Sequence, residues 1–112
     1  MDGAPMTADE PELAVMTARF DPRAGSEEPL MAVLARYVVI TRRAPACRNV
    51  DLLASAAHPG RLLLVAKWES AAAARTHLDS AEMAEMAAAA VPHLATRPEV
   101  DLYDTVSAHD LH

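Results

Sequence analysis

The chain has 112 residues, 52% of them hydrophobic, and a formal net charge of −6. That is one domain's worth of chain, expected to fold around a small core rather than stay disordered. The acidic balance without a basic stripe excludes a nucleic-acid binder. The lone Cys47 excludes an internal disulfide and fits a reducing compartment, and no apolar run reaches the ~20 residues that cross a bilayer.

The opening "MDGAPMTADEPE" is acidic and has no apolar stretch. Residues 1–11 are expected to be a loose tail and not a secretory signal, and the protein to be soluble and cytoplasmic. "ELAVMTARF", residues 12–20, predicts a first strand, which "DPRAGS" breaks with Pro22 and Gly25. Ser26 is placed to cap a helix, with Glu27 and Glu28 in its first turn and Pro29 early enough to be tolerated. Leu30, Val33, Leu34, Tyr37, Val38 and Thr41 follow at helical spacing, and the period carries through the β-branched Val38-Val39-Ile40. Arg42, Arg43 and Pro45 suit its end.

"ACRNVDLLAS", residues 46–55, predicts a second strand. "AAHPG" supplies a turn around Pro59-Gly60, and "RLLLVAKW", residues 61–68, a third strand, so that the two make an antiparallel hairpin. Ser70 can cap a second helix over 71–77. It breaks near Asp79-Ser80 and resumes over 81–91, with Met83, Met86, Ala87 and Ala90 on one face. Pro92 and Pro98 bracket a loop, "EVDLYDTVS", residues 99–107, alternates as a fourth strand, and residues 108–112 are a tail.

The β-α-β-β-α-β order over residues 12–107 is the ferredoxin-like α+β arrangement, a four-stranded antiparallel sheet with both helices on one face. In "LLLVA" both side-chain parities are apolar, whereas a sheet with one wet face alternates. Something must therefore cover the second face. A second copy of the sheet does so most simply, which predicts a homodimer.

"LLLVAKWESAAAARTHLDSAEMAEMAAA" resembles the antibiotic biosynthesis monooxygenase family of dimeric α/β barrels: a strand ending in Trp-Glu, a small-residue helix reaching His77 nine positions on, a break, and another helix. "DPRAGSEEPLMAVLARYVVITRRAPAC" and "LATRPEVDLYDTV" resemble that family's first helix and last strand. The resemblance spans residues 12–107. It implies a cofactor-independent monooxygenase that oxidises an aromatic polyketide, anthrone or quinol with O2, needing no metal or flavin. A non-redox polyketide cyclase or isomerase, or a ligand-binding accessory protein of the same fold, is the alternative. The haem-degrading branch has Trp at the position of His77 and a haem-ligating His ten residues further on, where this chain has Ala87. Three departures from the family pattern stand out: Ala46 for a Gly before Cys, Ala66 for a Glu, and Val50 for an aromatic.

The implied pocket lies between the helix-side face of the sheet and the helices, lined by Trp68, Met83 and Met86. Trp68 can stack on a polycyclic substrate or fill the core. His77 can take a phenolic proton as a base, or be a half-buried histidine bonded to backbone. Asn49 and Asp51, expected on one face of the second strand with Cys47 and Leu53, can fix a hydroxyl or ketone or face the wet end of the hairpin. Arg19 can stabilise an enolate by charge, or pair with Glu69 or Asp104. Tyr103 is expected at a dimer interface or a pocket edge. Tyr37 reads as core, and Cys47 as a small buried hydrophobe. The remaining histidines sit in turns and tails, so no metal is assigned. With three glycines in the chain, no phosphate loop exists.

Overall fold

The computed structural model describes residues 13–106. The expected tails, residues 1–11 and 108–112, lie outside the described residues. Strand β1 (Ala14–Phe20) leads to helix α1 (Glu27–Thr41), then to the hairpin of β2 (Cys47–Ala54) and β3 (Leu62–Trp68). Helices α2 (Ala71–Leu78) and α3 (Ala81–Ala90), a single 3-10 turn (Val91–His93) and strand β4 (Glu99–Asp104) complete it. The sheet order is β2-β3-β1-β4 and every pair is antiparallel. This is the ferredoxin-like fold that the hydrophobic pattern predicts.

The helix boundaries follow from local chemistry. Ser70 Oγ accepts from the Ala73 N–H at 3.1 Å and Ser80 Oγ from the Met83 N–H at 3.2 Å. Two serine caps ten residues apart explain why the second helical stretch is two helices. Ser26 departs from expectation. Its backbone (φ −107, ψ 11) is not extended and its side chain makes no cap bond. Glu27 Oε1 instead accepts from the N–H of Gly25 at 3.0 Å, with Gly25 at φ +87, where a side chain would be strained. At the other end of α1, Arg42 donates to the Val50 carbonyl through both Nε (3.0 Å) and Nη2 (2.7 Å), tying the helix to β2.

Burial alternates along the two central strands, so one parity builds the core. Ala14, Met16, Ala18 and Phe20 of β1 and Leu62, Leu64, Ala66 and Trp68 of β3 are buried. They pack with Leu30, Leu34, Tyr37 and Val38 of α1, Ala74 of α2 and Met86 and Ala90 of α3. Ala87, expected on the same face, is exposed. The other parity, Val15, Thr17, Leu63, Val65 and Lys67, is half-buried on the face away from the helices.

Strand β2 corrects the expected face-sharing. A bulge lies between Cys47 and Asn49: Cys47 pairs with Trp68, and Asn49 with Lys67, the next residue along β3. The extra residue reverses side-chain parity. Cys47 therefore packs against the core with Val50 and Leu52, while Asn49, Asp51 and Leu53 oppose Lys67, Val65 and Leu63 on the helix-free face.

Candidate active site

His77 lies in the last turn of α2, and packing leaves it 7% exposed. Its Nε2 lies 2.5 Å from the hydroxyl of Tyr37, which is 3% exposed on the inner face of α1. On its other side the imidazole stacks on Trp68, with centroids 4.4 Å apart and planes inclined by 31°. Trp68 closes β3, and the Glu69-Ser70 step turns the chain back into α2, so the nine-residue spacing brings indole and imidazole into contact. Met83 completes the group, its Sδ 3.7 Å from the Tyr37 hydroxyl.

The protonation states follow from burial. Desolvation lowers the His77 pKa, opposed by the Glu82 carboxylate. Desolvation also pushes Tyr37 up to about 12. The nearby Thr41 hydroxyl works against that shift but lies outside hydrogen-bonding geometry. At neutral pH the pair is a neutral imidazole and a protonated phenol. The phenol proton has two acceptors within reach. It can point at His77 Nε2, or at Met83 Sδ while Nε2–H donates to the phenol oxygen. A hydroxyl that can donate in either direction is suited to passing a proton on.

A cavity of about 570 Å³ opens between α1 and α3, lined by Ala32, Val33, Arg36, Tyr37 and Ile40 on one wall and Glu82, Glu85, Met86 and Ala89 on the other. It lies within the helix layer rather than between helices and sheet. Tyr37 is the one residue that belongs both to this lining and to the hydrogen-bonded pair. From cavity to sheet the order is Tyr37, His77, Trp68. The volume suits a small polycyclic ligand.

Of the residues singled out in the sequence, the structure gathers Trp68, His77 and Met83 around Tyr37, while of the expected lining Trp68, Met83 and Met86 only Met86 lines the cavity. It separates the rest. Asn49 donates to Asp51 Oδ2 at 3.1 Å on the helix-free face, across the sheet from His77. Arg19 lies on that same face, paired with Glu99 at 2.6 Å and not with Glu69 or Asp104. Tyr103 is there too, 51% exposed, and donates to Asp101 Oδ2 at 3.0 Å. Tyr37, which the helical pattern treats only as core, joins His77 and Met83 through its hydroxyl. The available signal is its hydroxyl: a buried tyrosine, unlike phenylalanine, requires a polar partner. Among the described residues, no cluster of three metal-ligating side chains occurs, and no helix is long and apolar enough to cross a membrane.

The family model described as antibiotic biosynthesis monooxygenase matches residues 14–89. No curated protein matches the chain. Among solved structures, Rv0793 from Mycobacterium tuberculosis is 27% identical, with 86% of this chain and 97% of that one covered and a TM-score of 0.78. SO0527 from Shewanella oneidensis is 25% identical over 84% and 91%, with a TM-score of 0.76. A conserved protein from Methanosarcina mazei Go1, at 13% identity over 87% and 96% with a TM-score of 0.76, shares the fold.

Proposed function

The chain belongs to the antibiotic biosynthesis monooxygenase family, and on that premise we propose that it oxidises an aromatic polyketide, anthrone or quinol with O2, its Tyr37–His77 pair taking the substrate proton. The observation that supports this reading is the 2.5 Å contact between a buried, neutral imidazole and a phenol that lines the cavity.

A ligand hydroxyl, or the acidic carbon of an anthrone, gives its proton to the Tyr37 oxygen as the Tyr37 proton moves to His77 Nε2. The resulting substrate anion passes one electron to O2. The superoxide and substrate radical combine at carbon to form a peroxide. The proton held on His77 returns through Tyr37 to this peroxide, and loss of water then leaves a new carbonyl, so one oxygen atom enters the product and the other leaves as water. In this reading the substrate anion is the reductant, and neither metal nor flavin takes part. Trp68 holds the imidazole plane by stacking, Met83 lies against the Tyr37 hydroxyl, and Met86 gives the cavity a soft wall.

The test is O2 uptake by purified, metal-free protein given an anthrone or a hydroquinone. Uptake above the buffer rate, lost in His77→Ala and in Trp68→Ala, is expected. A folded protein that consumes no O2 with such substrates overturns the reading. The alternative is a non-redox cyclase or isomerase, or a ligand-binding accessory protein, and one observation favours it: an acid–base pair alone suffices for enolisation. It predicts conversion at equal rates with and without air.

We further infer a cytoplasmic homodimer. Leu63 and Val65 lie half-buried on the helix-free face, beside Val15, Thr17 and the 47% exposed Leu53. An apolar centre rimmed by Arg19, Asp51 and Tyr103 suits a second copy of the same sheet.

A further inference from the structure

The two walls of the cavity carry opposite charge. On α1, Arg36 is its single cation, and on α3, Glu82 and Glu85 are its two carboxylates. Arg36 is exposed and makes no ion pair among the described residues. Arg36 also directly precedes Tyr37, so the cation and the phenol that starts the proton path share one wall. Arg19, the other candidate for stabilising an anion, lies across the sheet and is held by Glu99.

We propose that Arg36, opposed by Glu82 and Glu85, orients an ionisable aromatic ligand in the cavity, drawing its anionic oxygen to the α1 wall beside Tyr37. The inference deepens the function proposed above and rests on it for the class of ligand. The ligand it selects is an arene with an acidic hydroxyl at one end. Its other end faces carboxylates and so carries neutral or hydrogen-bond-donating groups, not a second anion. The chemistry is directional. A proton leaves the ligand through Tyr37 towards His77, and the charge left behind lies nearest the one guanidinium of the site. The apolar residues Ala32, Val33, Ile40 and Ala89 accept the ring body and give no orientation of their own. The charges therefore decide which end enters.

The experiment uses 4-nitrophenol, whose coloured anion reports its own ionisation, and 4-nitroanisole as an uncharged probe of similar shape. Binding is followed by probe absorbance and by quenching of Trp68, the only tryptophan in the chain. In Arg36→Gln the anion is expected to bind about five- to tenfold more weakly, the size of one partly screened charge contact, with the bound probe's pKa raised. Arg36→Lys should restore most of the affinity. In Glu82→Gln/Glu85→Gln the anion should bind more tightly by a similar factor. Binding of 4-nitroanisole should stay constant throughout. Equal changes for both probes, shifts of the same sign in the Arg36 and Glu variants, or no binding of either probe to the unaltered protein overturns the proposal. None of these readouts needs O2 chemistry. A protein that passes this test yet consumes no O2 refutes the oxygenase and leaves the oriented site standing.

Discussion

The Tyr37 hydroxyl and Nε2 of His77, forty residues apart in the chain, sit 2.5 Å from each other inside the helix layer. Helix α1 supplies one partner and the end of α2 the other. Only Tyr37 of the two lines the cavity, so in the proposed path a proton reaches the imidazole through the phenol.

Removing only the hydroxyl isolates this contact. Tyr37→Phe is expected to lower turnover about 10²- to 10⁴-fold with a small change in KM, because the ring still fills its place while proton transfer is lost. It should also reduce stability by about 1 kcal/mol, through loss of a buried hydrogen bond. An oxygen electrode and urea unfolding measure the two effects. Turnover within twofold of the parent protein would exclude Tyr37 from the proton path.

Acid should weaken the fold through His77. Its pKa is lowered in the folded state by burial, so between that value and about 6.5 the unfolded chain binds more protons than the folded one. The stabilisation is full above pH ~6.5 and is lost as pH falls through the folded pKa. His77→Gln, which cannot titrate, should flatten this acid limb in unfolding curves taken from pH 7 to 5. An identical limb in both proteins would remove His77 as its cause.

Alkali acts on the partner with the sign reversed. Tyr37 titrates at about 12 when folded and near 10 when unfolded. Stability from its protonated state is complete below pH ~10 and falls as pH rises towards the folded value. Absorbance titration of the phenols in Tyr103→Phe should show one late-ionising tyrosine. A single step near the ordinary value would show that Tyr37 is solvated.

The helix-free face can be tested by charge. Val65→Asp places a carboxylate at the centre of the inferred sheet-to-sheet contact, on a side chain that is already half-exposed in the single chain. Sedimentation should show dimers for the parent protein and monomers for the variant, with far-UV circular dichroism retained. A monomeric parent protein removes the basis for that interface.

Three serines offer a graded check of local structure. Ser70→Ala and Ser80→Ala should each destabilise by about 1 kcal/mol, because each removes a cap bond to a helix N–H. Ser26→Ala should be close to neutral, since its side chain caps nothing. Denaturant midpoints for the three variants give the ranking directly.

The strands and helices were legible because periodicity and punctuation agreed. Val38-Val39-Ile40 stayed helical since Leu34, Tyr37, Val38 and Thr41 kept one buried stripe, and Asp79-Ser80 marked a real break. The contact of Trp68 with His77 was foreseeable from a strand end followed by two turns of helix. What the sequence did not reveal depended on single backbone events. Ser26 could be judged only with its dihedral angles known. Asn49 and Asp51 changed sides because of a bulge that no residue type announces. Tyr37 was legible as buried, but the partner of its hydroxyl lies on another element. The position of the cavity between α1 and α3 depends on how those helices splay, which apolar spacing does not encode.

The bulge at Arg48 makes β2 a strand with two reading frames. Upstream of it, Cys47 belongs to the interior. Downstream, the odd-numbered residues from Asn49 belong to the exterior. A regular strand running through Arg48 without the bulge would rotate Asn49, Asp51 and Leu53 into the core and turn Val50, buried against Ala66, outwards. The strand after the bulge cannot slip by one without exchanging its two faces. Arg42, holding the Val50 carbonyl with two hydrogen bonds just past the bulge, works as the latch that keeps the second frame in register.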